Sequence, residues 1–443
     1  MLHFGTDGVR GRALTELTES YATALGAAAM RVLSISNVVI GRDTRESGEV
    51  LEAAFAAGCA RAGATVHLVG VAPTPAIAAI AAEHNWAGVV ITASHNDYHD
   101  NGIKIFDIGG LKLTSDQEIA IESELSVQMH DLTGSDSAPS HDVPSRHATD
   151  MIQQYVRRNV EMVPSGAFAG MHIVLDCANG AMSDVAGEVF AECGAMVTVI
   201  NCEPDGRNIN ANCGAMFPDV VSEAVRLHHG DIGLAFDGDG DRVIAVDGGG
   251  NIVDGDHLIA LAARDLHDSS QLVHSTVVVT VMTNIGFHLA MADAGIRVVT
   301  TPVGDRSVLT ELDAHGYVLG GEQSGHIIYR SRATTGDGLL AGILLADMVR
   351  RVGMPLRKLA AEVMTSFPQV LVNVNVAHRD VDVGSTFADE IEEAQARLGN
   401  SGRVLLRSSG TEPVVRVMVE ARSMEVARET ADRLAAVVAQ RLG

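Results

Sequence analysis

Short apolar runs alternate with longer stretches of helical spacing through most of this chain, and the runs open into polar loops. That alternation predicts an α/β architecture with largely parallel sheets. Residues 38–42 (VVIGR), 65–70 (TVHLVG) and 88–92 (GVVIT) read as short buried strands, with Ala-rich helical segments at 46–63 and 73–85 between them. The scheme recurs in a second unit, with strands at 171–176, 196–200, 232–236 and 242–250 and a helix over 183–193. A third unit carries strands at 275–282 and 296–301 about a helix at 285–294. After Pro368 the pattern changes to an alternating strand at 369–376, a helix near 386–398, strands at 403–407 and 414–420, and a closing helix at 423–442. The expected domains are 1–150, 151–252, 253–367 and 368–443, with the polar stretch 130–149 as a surface excursion at the first boundary. Ligands of open α/β sheets gather at the carboxyl ends of strands, so the loops after VVIT, HIVLD and VVVTVM could face one cleft.

A length of 443 residues is long for one core and suggests two to four domains. Hydrophobic residues at 47% against charged residues at 20% suit a globular chain and carry no disordered signature. The net charge of −24 argues against nucleic acid and against an anionic membrane surface as partners. An anionic ligand would have to be captured by local Arg and Lys. Lysine occurs only at Lys104, Lys112 and Lys358, so Lys104, which lies within a motif, stands out. Cys59, Cys177, Cys193, Cys202 and Cys213 form no CxxC pair and read as small core residues. The N-terminus lacks a signal pattern and no apolar run reaches membrane-spanning length, so a cytoplasmic location is expected.

The strongest local feature is Asp237-Gly-Asp-Gly-Asp-Arg242. Aspartates at alternate positions, separated by Gly, let the backbone curl and aim several carboxylates at one centre, a donor set for Mg²⁺, Mn²⁺ or Ca²⁺ rather than zinc. An EF-hand would need Gly where Arg242 stands and Glu where Gly248 stands. In ITASHNDYHDNGIKIF (91–106), Ser94 follows a buried strand, with His95 beside it and Lys104 ten residues on. That hydroxyl is placed to react, although a lone Ser-His pair also makes an ordinary hydrogen-bonded turn. RSSGTEPVVR (407–416) joins Ser408, Ser409, Gly410 and Thr411 to the flanking Arg407 and Arg416, a plausible phosphate cradle without a Walker lysine. GGEQSGH offers Glu322, Gln323, Ser324 and His326, groups that match sugar hydroxyls or an amine. FGTDGVRG contributes Arg10, and TPVGDR contributes Asp305 and Arg306.

In this order, FGTDGVRG, TASHN…NGIKIF, DGDGDR, GEQSGH and RSSGTEPVVR resemble the α-D-phosphohexomutase family along almost the whole chain. GGEQSGHII, DCANGA, INANCGA and TTGDGLL are similar to its bacterial branch that acts on glucosamine phosphates, and Gln323 is that branch's usual residue. The resemblance implies three related α/β domains and a smaller α+β C-terminal domain around a central cleft. It implies that Ser94 is a phosphoserine and that Asp237, Asp239 and Asp241 bind one Mg²⁺ together with its phosphate oxygen. Glu322 and Ser324 would contact sugar hydroxyls, while Arg407, Ser409, Gly410, Thr411 and Arg416 would grip the phosphate that is not transferred. Lys104, His326 and Arg10 become candidates for proton transfer or charge stabilisation. The implied reaction interconverts glucosamine 6-phosphate and glucosamine 1-phosphate through the 1,6-bisphosphate, feeding amino-sugar and cell-wall precursor synthesis. The bisphosphate or a kinase would prime Ser94, and a homodimer is suggested. A phosphomannomutase or phosphoglucomutase of the same family, and a non-catalytic sugar-phosphate sensor, remain alternatives. Two residues depart from the family pattern: Asp97 replaces the usual Pro and should loosen the turn after Ser94, and Phe217 stands where the branch often has His.

A phosphoserine of charge about −2 beside three aspartates leaves the centre anionic even with a divalent metal. Phosphoryl transfer then requires nearby cations, for which Arg242, Lys104 and Arg10 are the expected source.

Overall fold

The computed structural model describes residues 2–5, 7–133, 145–377, 382–408 and 413–443. They form two compact units, one of residues 1–281 and 296–361, the other of residues 282–295 and 362–443.

The first unit holds three sheets. In the first, β1 (Val9–Arg12), β2 (Asn37–Arg42), β3 (Thr65–Val71), β4 (Ala87–Ile91), β5 (Asp100–Asp107) and β7 (Ser145–His147) run in the order β1-β5-β4-β2-β3-β7, with β6 (Leu111–Lys112) on β5. Alternation sorts its side chains. Val38, Ile40, Val89 and Ile91 pack with α1 (Glu19–Val32), α2 (Gly48–Arg61) and α4 (Ser115–Thr133), while Val39, Val90 and Phe106 pack under α3 (Thr74–His84). The helix ends carry the expected chemistry. Thr18 caps α1 through the Tyr21 N–H, Pro75 lies in the first turn of α3, and left-handed Asn85 ends it.

The second sheet runs β12-β11-β10-β8-β9, built from β8 (His172–Asp176), β9 (Met196–Ile200), β10 (Ile232–Phe236), β11 (Val243–Asp247) and β12 (Ile252–Val253). Its helices are α5 (Ile152–Val160), α6 (Ala186–Glu192) and α7 (Pro218–His228). The third sheet runs β14-β13-β15-β16, from β13 (Thr276–Thr280), β14 (Arg297–Thr301), β15 (Leu319–Gly321) and β16 (Ile327–Tyr329), with α8 (Gly255–Asp268), α10 (Asp305–His315) and α11 (Gly338–Val352).

The sheets are mixed rather than largely parallel. β5 runs antiparallel to both β4 and β1, β11 to β10, and β16 to β15. Each reversal follows a loop that carries polar motif residues, so the chain turns straight back into its own sheet. The expected excursion at 130–149 is also revised at its ends. Residues 130–133 complete α4 and 145–147 pair in parallel with β3, while 134–144 lie outside the described residues.

In the second unit, β17 (Gln369–Asn375), β19 (Val414–Glu420) and β18 (Arg403–Ser408) form an antiparallel sheet in that order. It packs against α14 (Ala388–Leu398) and α15 (Met424–Leu442) through Val415, Val417, Val419, Ala431 and Val438. The short α13 (Val383–Thr386) belongs here, as does α9 (Ile285–Asp293), whose Ile285 N–H donates to the buried Glu420. The chain enters the second unit at 281/282, leaves it at 295/296, and enters it again within α12 (Leu356–Val363). Among the described residues, no helix is long and apolar enough to cross a membrane.

Candidate active site

Four loops of the first unit converge at strand ends: 92–99 after β4, 237–242 between β10 and β11, 302–304 after β14, and 322–326 between β15 and β16. Ser94 is buried and adopts a left-handed backbone, with φ of 54°. Its Oγ donates to Asp237 Oδ2 at 2.7 Å and lies 3.2 Å from His95 Nδ1. Burial, reinforced by Arg242 and Arg10, lowers the His95 imidazole to about 4, so this ring is neutral near pH 7.

The Asp237–Arg242 turn gathers three buried carboxylates whose ligand atoms lie within 4.8 Å of one another. Asp237 is fully engaged, accepting from Ser94 Oγ through Oδ2 and from the Arg242 N–H through Oδ1. Asp239 Oδ2 accepts from Thr74 Oγ1 at 2.6 Å. Asp239 Oδ1 and Asp241 Oδ1 are buried without a hydrogen-bond partner. Burial, with Asp241 and Asp239 close by, pushes the Asp237 carboxyl well up. Orphaned, mutually repelling carboxylate oxygens in a dry site fit a hard divalent cation.

Lys104, on β5, reaches under this turn. Its Nζ lies 2.6 Å from Asp7, 2.8 Å from Asp239 and 2.9 Å from Asp241. Burial opposes its charge, but the three carboxylates win and hold the ammonium well above its ordinary range. Asp7 also binds Lys112, which binds Asp305, which lies 3.6 Å from His326 Nε2. His326 Nδ1 closes the circuit 3.5 Å from Asp241. A ring of alternating charge, Asp241–Lys104–Asp7–Lys112–Asp305–His326, therefore stitches loops from all three sheets together.

Above it opens a cavity of about 380 Å³ lined by Arg10, Ser94, His95, Arg242, Glu322 and His326, among others. Asp305 lines it too. Glu322 accepts from the Gly304 N–H at 3.0 Å. Gln323 turns aside to Asp254 at 3.4 Å and Ser324 is exposed, and neither contributes to this wall. Arg306 points elsewhere, forming a two-pronged pair with Glu118. Asp97 does not leave its turn slack, because its Oδ1 accepts from both the N–H and Nδ1 of His99 at 2.8 Å. Phe217 is exposed at the start of α7.

In the second unit, Arg407 and Arg416 are directly opposed on β18 and β19. Burial and the facing Arg416 lower the Arg407 guanidinium, as expected of like charges directly opposite on neighbouring strands. Ser409, Gly410 and Thr411 lie outside the described residues. Sequence reasoning did not single out Asp7, Lys112 or Thr74. Lysine scarcity was a signal for Lys112, whereas Asp7 carries no distinguishing mark within FGTDGVRG and Thr74 none within the Ala-rich segment 73–85.

Comparison with known proteins covers nearly the whole chain. The phosphoglucomutase/phosphomannomutase α/β/α domains I, II and III match residues 1–129, 149–250 and 254–367, and the C-terminal domain of that family matches 371–437. A protein named phosphoglucosamine mutase from Rhodococcus opacus is 48% identical, over 98% of this chain and 99% of its own length. One of the same name from Frankia casuarinae is 48% identical over 98% and 97%. Among solved structures, a phosphoglucomutase/phosphomannomutase family protein from Burkholderia thailandensis aligns with a TM-score of 0.79 at 25% identity, covering 98% of this chain and 97% of its own. An Aspergillus fumigatus N-acetylphosphoglucosamine mutase, solved with GlcNAc-6P and magnesium, shares the fold with a TM-score of 0.69 at 20% identity, covering 99% and 96%.

Proposed function

The chain belongs to the phosphoglucomutase/phosphomannomutase family, and from that premise we propose that it is a phosphoglucosamine mutase working through a phosphorylated Ser94. The observation that carries the reading is the 2.7 Å contact between Ser94 Oγ and Asp237, at the edge of a three-aspartate cluster and on the wall of a cavity bearing arginines. Full-length relatives at 48% identity carry that name.

Phosphorylated Ser94 passes its phosphoryl group to O1 of glucosamine 6-phosphate. The bond from Oγ to phosphorus breaks as the bond from O1 forms, giving the 1,6-bisphosphate. The bisphosphate turns round, returns its 6-phosphoryl group to Ser94, and leaves as glucosamine 1-phosphate. The proton that Ser94 Oγ gains from sugar O1 on the first step passes to O6 on the return, with neutral His95, 3.2 Å from Oγ, as a hydrogen-bond partner rather than the base. His326, between Asp241 and Asp305, serves the sugar hydroxyl. Lys104 stays charged and acts through its field rather than as a base. Asp237, Asp239 and Asp241 would hold Mg²⁺, which would supply charge neutralisation at the phosphoryl oxygens. Arg242 and Arg10, on the cavity wall, face the incoming phosphate.

Intact-mass and peptide analysis should find Ser94 carrying a phosphoryl group, and Ser94→Ala should fold and lose turnover. Near-normal turnover by that variant refutes the phosphoserine route. A panel of glucosamine, glucose and mannose phosphates tests the sugar. Equal efficiency on all three would move the assignment to the broader hexose-phosphate mutases.

A further inference from the structure

The nucleophile and the carboxylate cluster come from different sheets, so something must fix their register to tenths of an ångström. The loop that bears Ser94 lies over a guanidinium. Arg45 is fully buried; its Nη2 donates to the carbonyls of Ser94 at 3.1 Å and Asn96 at 2.8 Å. Its Nη1 donates to the carbonyls of Asp97 and Asp100, and its Nε pairs with Asp43 at 2.8 Å. Asp43 also accepts from Thr92 Oγ1 at 2.6 Å, and that same hydroxyl oxygen accepts the Ser94 N–H at 2.9 Å. The loop is thus held at both its amide and its carbonyl edges by one ion pair.

A second hand reaches in from the other sheet. Asn210, in the INANCGA segment, donates Nδ2 to the Ser94 and Asn96 carbonyls, each at 2.9 Å. These are two of the four carbonyls that Arg45 holds. Thr44, between Asp43 and Arg45, donates to the Asn179 carbonyl of the DCANGA turn at 2.6 Å. Neither Arg45 nor Asn210 lines the cavity of the active site.

We propose that Arg45 and Asn210 are positioning residues for phosphoryl transfer: together they lock the Ser94 loop in its left-handed conformation and set it against the aspartate turn. A left-handed backbone at a residue with a side chain is strained and persists only where its surroundings over-determine it. Four carbonyls on one planar fork, two of them shared with an amide from another sheet, are such an over-determination. Lysine, a point donor with three protons on a flexible stem, cannot reproduce it.

The inference rests on the mutase reading, so the wild-type enzyme is assayed first; no glucosamine phosphate mutase activity there refutes that reading, not this one. In an active background, Asn210→Asp places an acceptor against two carbonyls at nearly unchanged volume. Its kcat should fall about 100-fold, the scale of a misplacement near 1 Å, while KM for glucosamine 6-phosphate stays within about threefold. Arg45→Lys keeps the Asp43 charge pair and should not rescue activity. Slower phosphorylation of Ser94 by glucose 1,6-bisphosphate, followed by intact mass, should parallel the kcat loss. Wild-type kcat in Asn210→Asp, or in folded Arg45→Lys, overturns the proposal. So does a loss confined to KM or matched by the unfolded fraction in a thermal melt. If Arg45→Lys does not fold, Asn210→Asp decides alone.

Discussion

Gly180→Ala adds one methyl group outside the active-site cavity and should nonetheless disable the enzyme. Gly180 lies in the turn after β8. A Cβ there would fall 2.3 Å from the Gly238 carbonyl oxygen, 2.7 Å from its Cα and 2.8 Å from its carbonyl carbon. All three atoms are backbone, so no rotamer change relieves the clash. To reach even the 3.0 Å limit that real Cβ contacts respect, the two turns must separate by at least about 0.7 Å from the present 2.3 Å. Gly238 stands between Asp237 and Asp239, and its carbonyl is anchored by the Ala181 N–H at 2.8 Å, so the shift passes straight into the carboxylates. On its other side Gly238 abuts the Ser94 carbonyl, which lies 2.6 Å from where its own Cβ would be. The 2.7 Å contact of Ser94 with Asp237 cannot absorb that movement. A displacement near 1 Å costs about 100-fold in rate, roughly 2.7 kcal/mol of transition-state stabilisation, and overpacking adds about 1–3 kcal/mol of instability. The assay is kcat for glucosamine 1-phosphate formation on protein shown to be folded by circular dichroism. Gly187→Ala in α6 is the control, since its Cβ meets only the movable Val199 side chain at 3.1 Å. A kcat within twofold of wild type in folded Gly180→Ala would refute the reasoning.

Glu52 is raised from 4.5 to about 7, by burial first, and its Oε1 has no hydrogen-bond partner. The folded state therefore binds the extra proton between pH 4.5 and about 7, and stability falls as pH rises through that window. Glu52→Gln should raise the melting temperature at pH 8, by up to about 2–3 kcal/mol of stability, and leave it unchanged near pH 4; an equal effect at both pH values rules out this origin. Arg407→Met should relieve the cross-strand repulsion with Arg416, stabilising the phosphate-free protein by about 0.2–1 kcal/mol while raising KM for the sugar phosphate. Melts with and without phosphate, beside steady-state kinetics, check the opposite signs. Chelation should remove activity and lower the melting temperature, because three buried carboxylates lose their shared counter-charge, and Mg²⁺ should restore both; a chelator-insensitive enzyme separates Asp237, Asp239 and Asp241 from the reaction.

The strands that end in functional loops were legible because each is a short run of apolar residues bounded by Gly, Pro or polar residues, as at 232–236 and 276–280. The α1 helix left no such trace. Its residues Tyr21–Met30 are buried without a break, so no polar stripe marks a helical period. The β5 strand was hidden differently, since Asn101 and Lys104 are buried polar groups held for their partners, which breaks the apolar alternation. The site divides along the same line. The aspartates announce themselves through local spacing and Ser94 only through its order among the other motifs, but Lys112 acquires its meaning from Asp305, 193 residues away, and Arg45 from carbonyls about 50 residues on. No local pattern encodes such partners.

Those distant partners also bear on how a chain of net charge −24 would hold a phosphate. Arg242, Lys104 and Arg10 were equivalent candidates in the sequence; in the structure they are not. Lys104 is shared by three carboxylates within 2.9 Å and Lys112 by two, and neither lines the active-site cavity. To bind phosphate, either lysine would have to abandon a buried carboxylate, which costs several kcal/mol. Arg10 and Arg242 do line the cavity, and their carboxylate contacts are loose, at 3.8 Å to Asp7 and 3.9 Å to Asp241. The Nε of Arg242 is buried with no hydrogen-bond partner. A planar fork with unspent donors can turn to a phosphate at little cost. The lysines thus tie three sheets together around an acidic turn, while the arginines present unspent donors to the cavity. The buried cations neutralise the acidic framework, so under the proposed reaction the phosphoryl charge would fall to the metal that Asp237, Asp239 and Asp241 would hold and to two guanidiniums.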